Sequence, residues 1–259
     1  MTERIARLDS RALIRVSGPD AKPFLHNLLT QDVETLSAGG LRFGALLSPP
    51  GRLLFDLFLW GEDEAVVLDV AADRRDALMQ RLSMYRLRAK VEVAADDRPV
   101  FVSWPGAADG FVTDPRTAAL GGRVIGAGMA TASEDDWNAN RLAVGVPDPA
   151  RDTDEGTYPI EANFDLLNGI DFAKGCFVGQ ETTSRMKRRG EIKKRMLPLT
   201  FDGPAPEAGA EVLNGELRAG EVLTGREGAA MALVRLDRLD GILTVGGRTV
   251  QVGRPPFLP

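Results

Sequence analysis

The chain has 259 residues, 44% of them apolar and 27% charged, with a net charge of −5. These are ordinary values for a folded globular protein, and the acidic balance implies no general nucleic-acid-binding surface. A single cysteine and a single histidine exclude an intrachain disulfide, a Cys/His zinc site and a self-contained four-cysteine cluster, so no metal site is expected.

The first feature is a run of basic positions, Arg4, Arg7, Arg11 and Arg15. It faintly resembles a transit segment, but Glu3 and Asp9 interrupt it. A thiol-reducing, cytoplasmic setting is therefore expected. No apolar run approaches the ~20 residues of a membrane helix, so no membrane partner is expected. Residues 12–16 read as a strand, followed by a turn over 17–20. A helix then carries Phe24, Leu25, Leu28 and Leu29 at helical spacing, with Asp20 as its N-cap and Pro23 in its first turn. Strands follow over 41–47, 53–60 and 65–70, the first two joined by the turn Ser48-Pro49-Pro50-Gly51. A helix over 73–85 places Leu78, Leu82 and Tyr85 on one face, and strands are predicted over 87–93 and 100–104. This order predicts an α+β sheet with a helix packed on one face.

Ser133 caps a further helix that ends near Gly145, and residues 147–158 read as a loop. A short helix is predicted over 161–167, stopped by Asn168-Gly169, and another over 179–189 with Gly190 as its C-cap. Gly203-Pro204-Ala205-Pro206 marks a boundary. Beyond it, strands over 211–213, 217–223, 229–234, 242–245 and 249–252, with hairpin turns at Asn214-Gly215 and Gly246-Gly247, predict a small β-barrel.

The chemistry concentrates in Lys174-Gly175-Cys176-Phe177-Val178-Gly179-Gln180-Glu181. Two glycines bracket the only thiol and let backbone pass close to a ligand. Cys176 precedes a helix N-terminus and follows Lys174 by two residues, and both features favour thiolate. A buried structural cysteine is the competing reading. Between Glu181 and Arg195 lie seven basic and two acidic residues, a local +5. An anionic ligand beside the cysteine would use that charge; so would a solvated helix face. RNA binding is a third reading, though no interleaved aromatics support it.

Upstream, Glu161 and Asn163 place a carboxylate and an amide at a predicted helix start. They suit either the N–H edge of a heterocycle or ordinary capping. Asp56 sits in an apolar strand, where alternation faces it to solvent by default; a pocket-facing carboxylate is the alternative. The stretch Gly121–Gly128 lacks the spacing of a dinucleotide loop, and His26 has no nucleophile beside it in sequence, so it reads as structural.

These residues carry a resemblance. Pro159-Ile160-Glu161-Ala162-Asn163, together with Lys174-Gly175-Cys176-Phe177-Val178-Gly179-Gln180-Glu181 and Thr183-Ser184-Arg185, resembles the YgfZ family of folate-binding proteins, related to the glycine-cleavage aminomethyltransferase. Phe177 stands where the family motif KGCYxGQE has tyrosine. Ser17-Gly18-Pro19-Asp20, Leu46-Leu47-Ser48-Pro49-Pro50-Gly51-Arg52 and Gly190-Glu191-Ile192-Lys193-Lys194-Arg195 extend the likeness over nearly the whole chain.

The resemblance implies a three-domain ring around a channel that holds tetrahydrofolate or a one-carbon derivative. Its parts are a discontinuous folate-binding domain (1–40 and 105–190), an inserted ferredoxin-like β-β-β-α-β domain (41–104) and a C-terminal barrel (191–259). It implies an accessory factor in iron–sulfur protein assembly, partnered by folate and by iron–sulfur client or assembly proteins; a monomer is expected, since nothing in the sequence demands more. Cys176 and Asp56 are the implied catalytic residues. Glu161, Asn163, Lys174, Gly175, Gly179, Gln180, Glu181, Arg185 and Lys194 are the implied folate-binding set. Two alternatives stay open: a folate-dependent aminomethyl transferase, and a non-catalytic scaffold whose basic helix docks a partner.

Overall fold

A computed structural model describes residues 2–190 and 192–258. In chain order it holds β1 (Arg4–Arg7), β2 (Arg11–Ser17), α1 (Ala21–Leu28), β3 (Leu41–Leu47), β4 (Leu53–Gly61), β5 (Ala65–Ala71), α2 (Arg75–Arg86), β6 (Glu92–Asp96), β7 (Val100–Trp104), β8 (Val112–Thr113) and β9 (Gly122–Ile125). Then come α3 (Glu134–Val144), α4 (Pro149–Asp152), α5 (Gln180–Arg189), β10 (Lys194–Thr200), β11 (Glu211–Asn214), β12 (Leu217–Arg226), β13 (Ala229–Arg235), β14 (Leu243–Val245) and β15 (Arg248–Val252).

The strands make three sheets: β3-β4-β5-β2-β6, β1-β7-β9-β8, and a closed barrel β10-β13-β12-β11-β14-β15. The expected division of the first half is corrected here. Strand β2, assigned to 1–40, is interior to the five-stranded sheet, pairing with β5 on one side and β6 on the other. Strand β7, assigned to 41–104, pairs instead with β1 and β9. Strand order is set by long-range pairing, and a run of apolar residues does not name its neighbour. The barrel closes because β10, absent from the predicted set, pairs with both β13 and β15.

Alternation along β4 decides what each face of the large sheet does. Phe55, Leu57 and Leu59 turn towards α1 and α2, where Phe24, Leu25, Leu78 and Leu82 cover them. Phe58 turns the other way, to pack with Phe43, Phe164 and Met196. Asp56 shares that second face and is only 5% exposed, so the solvent-facing default does not hold.

Three local expectations also change. Asp20 stands at the N-cap of α1, but its carboxylate accepts from Lys90 N (2.7 Å) rather than from the helix. The strand expected over 87–93 starts only at Glu92, because the chain turns at Leu87, which has φ 41°. Residues 161–167 form successive turns, not a helix. There Asn163 is held at φ 62° by buried polar contacts: Nδ2 donates to Met196 O (2.7 Å) and Oδ1 accepts from Arg195 NH1 (3.0 Å). By contrast α3 carries its expected cap. Ser133 and Asp136 bond reciprocally, and Gly145 closes the helix in the left-handed region.

Candidate functional site

Cys176 lies on a loop fastened at both ends. Before it, Asp171 Oδ1 accepts from Ala173 N and Lys174 N, and Asp171 N donates to Thr30 O. Lys174 then reaches into the body of the protein, where Nζ donates to His26 O in the last turn of α1 and to Leu29 O at its C-cap (2.7 Å). A cation there satisfies orphan carbonyls and meets the negative end of the helix. Burial still pushes the Lys174 ammonium down to about 8, against the pull of Asp32 and Asp171. Behind the cysteine, Phe177 is buried among Leu47, Leu53 and Ile160. Gly175 and Cys176 are left exposed between these anchors, so the buried structural cysteine is not what the chain contains.

Gly179 serves packing, not ligand approach. It is the N-cap of α5 at φ 82°, and a Cβ there would stand 2.7 Å from Ser48 O and 2.9 Å from Gly51 Cα. Gly51 answers at φ 85°, where a Cβ would meet Thr182 at 2.9 Å. Two left-handed glycines thus let the turn over 48–51 lie against the start of α5. Gln180 and Glu181 form that first turn, half-buried and exposed respectively.

Sequence reasoning missed His26. Its Nδ1 lies 3.1 Å from Asp32 Oδ1, and its Nε2 lies 3.9 Å from where a Cβ on Gly175 would stand. The imidazole therefore backs the cysteine loop. No local signal announces this, because the two segments are distant in sequence. Among the described residues, no group of three or more His, Cys, Asp and Glu side chains could hold a metal ion.

The basic run divides. Arg195 is buried: NH1 donates to Ile160 O, Asn163 Oδ1 and Asp165 Oδ1, and NH2 to Asp165 Oδ2 (2.9 Å). Lys187 lies 3.5 Å from Asp165 and 5.5 Å from the exposed ring of Phe172. Arg185, Arg188, Lys193 and Lys194 are exposed. Lys194 lines a separate cleft of about 320 Å³ on the barrel, with Arg218, Glu221 and Arg235. Glu191, counted in the run, lies outside the described residues.

Asn163, Glu161 and Asp56 are committed to protein partners. Asn163 is fully buried and saturated by protein partners. Glu161 is half-buried, and its Oε2 accepts from Tyr158 N (3.1 Å). Asp56 is paired with Arg11 NH1 (2.9 Å), and the cavity it lines holds about 30 Å³. That is room for about one water molecule, whereas ligand pockets run to several hundred Å³. The residues present do not fit tetrahydrofolate at Asp56.

Arg11 anchors a larger network. Its Nε donates to Asp69 Oδ1 (2.6 Å), and Asp69 Oδ2 accepts from Arg123 NH2 (2.6 Å). Asp114 chelates Arg116 through Nε (3.0 Å) and NH2 (2.8 Å), and lies 3.8 Å from Arg123 NH1. The guanidinium carbons of Arg123 and Arg116 stand 3.8 and 4.8 Å from the ring centroid of Phe58. Burial opposes ionisation of Asp69, but Arg11 and Arg123 outweigh it and hold its carboxyl below the usual carboxylate range. The other early arginines also have partners: Arg15 meets Glu62, and Arg7 meets Asp9.

Comparison with known proteins places the whole. Residues 193–259 match the family described as the CAF17 C-terminal beta-barrel domain. The aminomethyltransferase T of the glycine cleavage system from Bartonella henselae superposes with a TM-score of 0.80 at 19% identity, covering 99% of this chain and 86% of that one. That likeness shows the fold alone, and the three-part α+β architecture with its terminal barrel is shared. Among relatives in sequence, human mitochondrial iron–sulfur cluster assembly factor IBA57 is 32% identical over 92% of this chain and 79% of its own length. The mouse protein is 30% identical with the same coverage, and the Neurospora crassa homologue is 31% identical over 80% of this chain and 56% of its own.

All three are named mitochondrial, which overturns the cytoplasmic expectation. The physical reason is that one free thiol indicates a reducing compartment, and that description does not single out the cytoplasm. With this identity sustained along most of both chains, the chain belongs to the IBA57 family.

Proposed function

We propose that this chain acts as a monomer in iron–sulfur cluster assembly and offers Cys176 as one thiolate ligand to a cluster shared with a partner. The observation that carries this reading is the exposed thiol on a loop anchored by Lys174 and Phe177. The names of the relatives support the same role. One thiolate cannot hold a cluster, so the remaining ligands come from an assembly or client protein, or from a small thiol. In such an exchange Cys176 loses its proton as its sulfur joins the cluster, and one outgoing thiolate takes a proton up.

The exposed cations Arg185 and Arg188 on the helix that follows this loop, and Lys193 beyond it, favour an acidic partner face, since a thiolate-ligated cluster is itself anionic. This keeps the docking element of the scaffold reading within one account. Aminomethyl transfer is not adopted, because the carboxylate it would use, Asp56, is paired with Arg11. Tetrahydrofolate does not enter the reading for the same geometric reason.

The test is made in cells lacking the chain. Restoring it should recover [4Fe–4S] enzyme activity, and Cys176→Ala, present at equal abundance, should not. Full recovery by Cys176→Ala overturns the proposal.

A further inference from the structure

We infer that the centre of this fold is an ion-pair lock joining the two open sheets to the barrel, and that tetrahydrofolate does not bind beside Asp56. The inference is independent of the role proposed for Cys176. Two arms of charge meet at the small cavity. The first runs from Asp56 on β4 through Arg11 on β2 and Asp69 on β5 to Arg123 on β9, crossing from one open sheet to the other. The second runs from Arg141 on α3 to Asp152 on α4 (3.2 Å), whose other carboxylate oxygen accepts from Thr224 on the barrel strand β12. Asp148 N also donates to Asp152 (2.7 Å), and Asp148 and Arg141 line the same small cavity as Arg11 and Asp56, so the arms meet there.

This centre is filled by side chains that have nowhere else to go. Asp69 is fully buried, and Asp114, Arg116, Arg123, Arg141 and Asp152 are all at most 6% exposed. Admitting a pterin would require Arg11 to release Asp56, and Arg116 and Arg123 to leave the face of Phe58. The first move leaves the buried Asp56 carboxylate without its counter-ion, a costly rearrangement in a protein interior, and the others give up buried cation–π contacts. The nearby candidate contacts are also committed: Glu161 accepts from Tyr158 N, and both functional atoms of the Asn163 amide are used. Sharing a fold with an aminomethyltransferase does not supply a folate site, because chemistry resides in the site residues and not in the topology.

The test is calorimetric titration of the full chain with tetrahydrofolate and with the stabler 5-formyltetrahydrofolate, repeated on Asp56→Asn. The expected result is no saturable binding at ligand concentrations up to about 1 mM. Saturable binding that is unchanged in Asp56→Asn also supports the lock, because the folate then sits elsewhere. Binding by the wild-type chain tighter than about 100 µM that weakens tenfold or more in Asp56→Asn overturns it. The near-isosteric Asn keeps the side-chain volume, so a change in affinity reports the carboxylate itself. As a second readout, Thr224→Val should lower the thermal midpoint without creating folate binding; an unchanged midpoint would remove the barrel from the lock.

Discussion

Around Asp69, each charged side chain stands within reach of an opposite one, behind two sheets and away from water. On and after α5, the cations Arg185, Arg188 and Lys193 are exposed to solvent, and so is the only thiol, on the loop that precedes that helix. The sheets hold the first region, whereas a loop clamped by one lysine, one phenylalanine and one glycine turn holds the second. The difference teaches where to look for function in this fold. The buried charge is spent on joining parts, and reactivity is left at the rim.

The comparison breaks most readily at Asp69. Removing it leaves Arg11 with Asp56 as its remaining carboxylate and Arg123 with Asp114 at 3.8 Å, so Asp69→Ala should cost about 3–5 kcal/mol by urea denaturation. A loss below about 1 kcal/mol, the level of surface ion pairs, would show that the centre is not a lock. The pH dependence has a definite sign. Asp69 is held below its unfolded value by Arg11 and Arg123. Its contribution is therefore present above about pH 4 and is lost as pH falls through the native value. Asp69→Asn should accordingly flatten the acid limb of a plot of thermal midpoint against pH. Asp152, whose carboxyl is raised by burial, contributes the opposite slope as pH rises from the ordinary carboxylate value towards its native one.

At the rim, Gly179→Ala tests whether the cysteine loop is built by close backbone approach. The left-handed φ and the 2.7 Å contact with Ser48 O predict a loss of about 1–3 kcal/mol. Cys176 alkylation should also accelerate as the loop loosens. An unperturbed stability and labelling rate would mean that the turn over 48–51 does not define the loop.

Much of this was legible in the residues. The strands over 41–47 and 53–60, the hairpins at Asn214-Gly215 and Gly246-Gly247, and the cap at Ser133 are local features, and they fold where local chemistry puts them. The segment from Lys174 to Glu181 announced its own importance by composition and by resemblance. What escaped was pairing at long range. Nothing near Asp56 names Arg11, which lies 45 residues earlier, and nothing near Lys174 names the carbonyl of His26, 148 residues away. Asn163 reads as a helix residue until Met196 and Arg195 are brought against it. Lys174 reads as a ligand contact or a thiolate-stabilising charge, and nothing local announces that its ammonium also caps α1.

The central claim, that function rests on the exposed thiol and not on the buried centre, meets its most direct test in an anaerobic titration. The chain and its Cys176→Ala variant are each mixed with a glutathione-ligated [2Fe–2S] cluster, and uptake is followed by visible absorption and native mass spectrometry. Because the side chain is exposed, Cys176→Ala should leave stability within about 0.5 kcal/mol of wild type. The account predicts one cluster retained per wild-type chain together with small-thiol ligands, and none retained by the variant. Equal retention by both would contradict it.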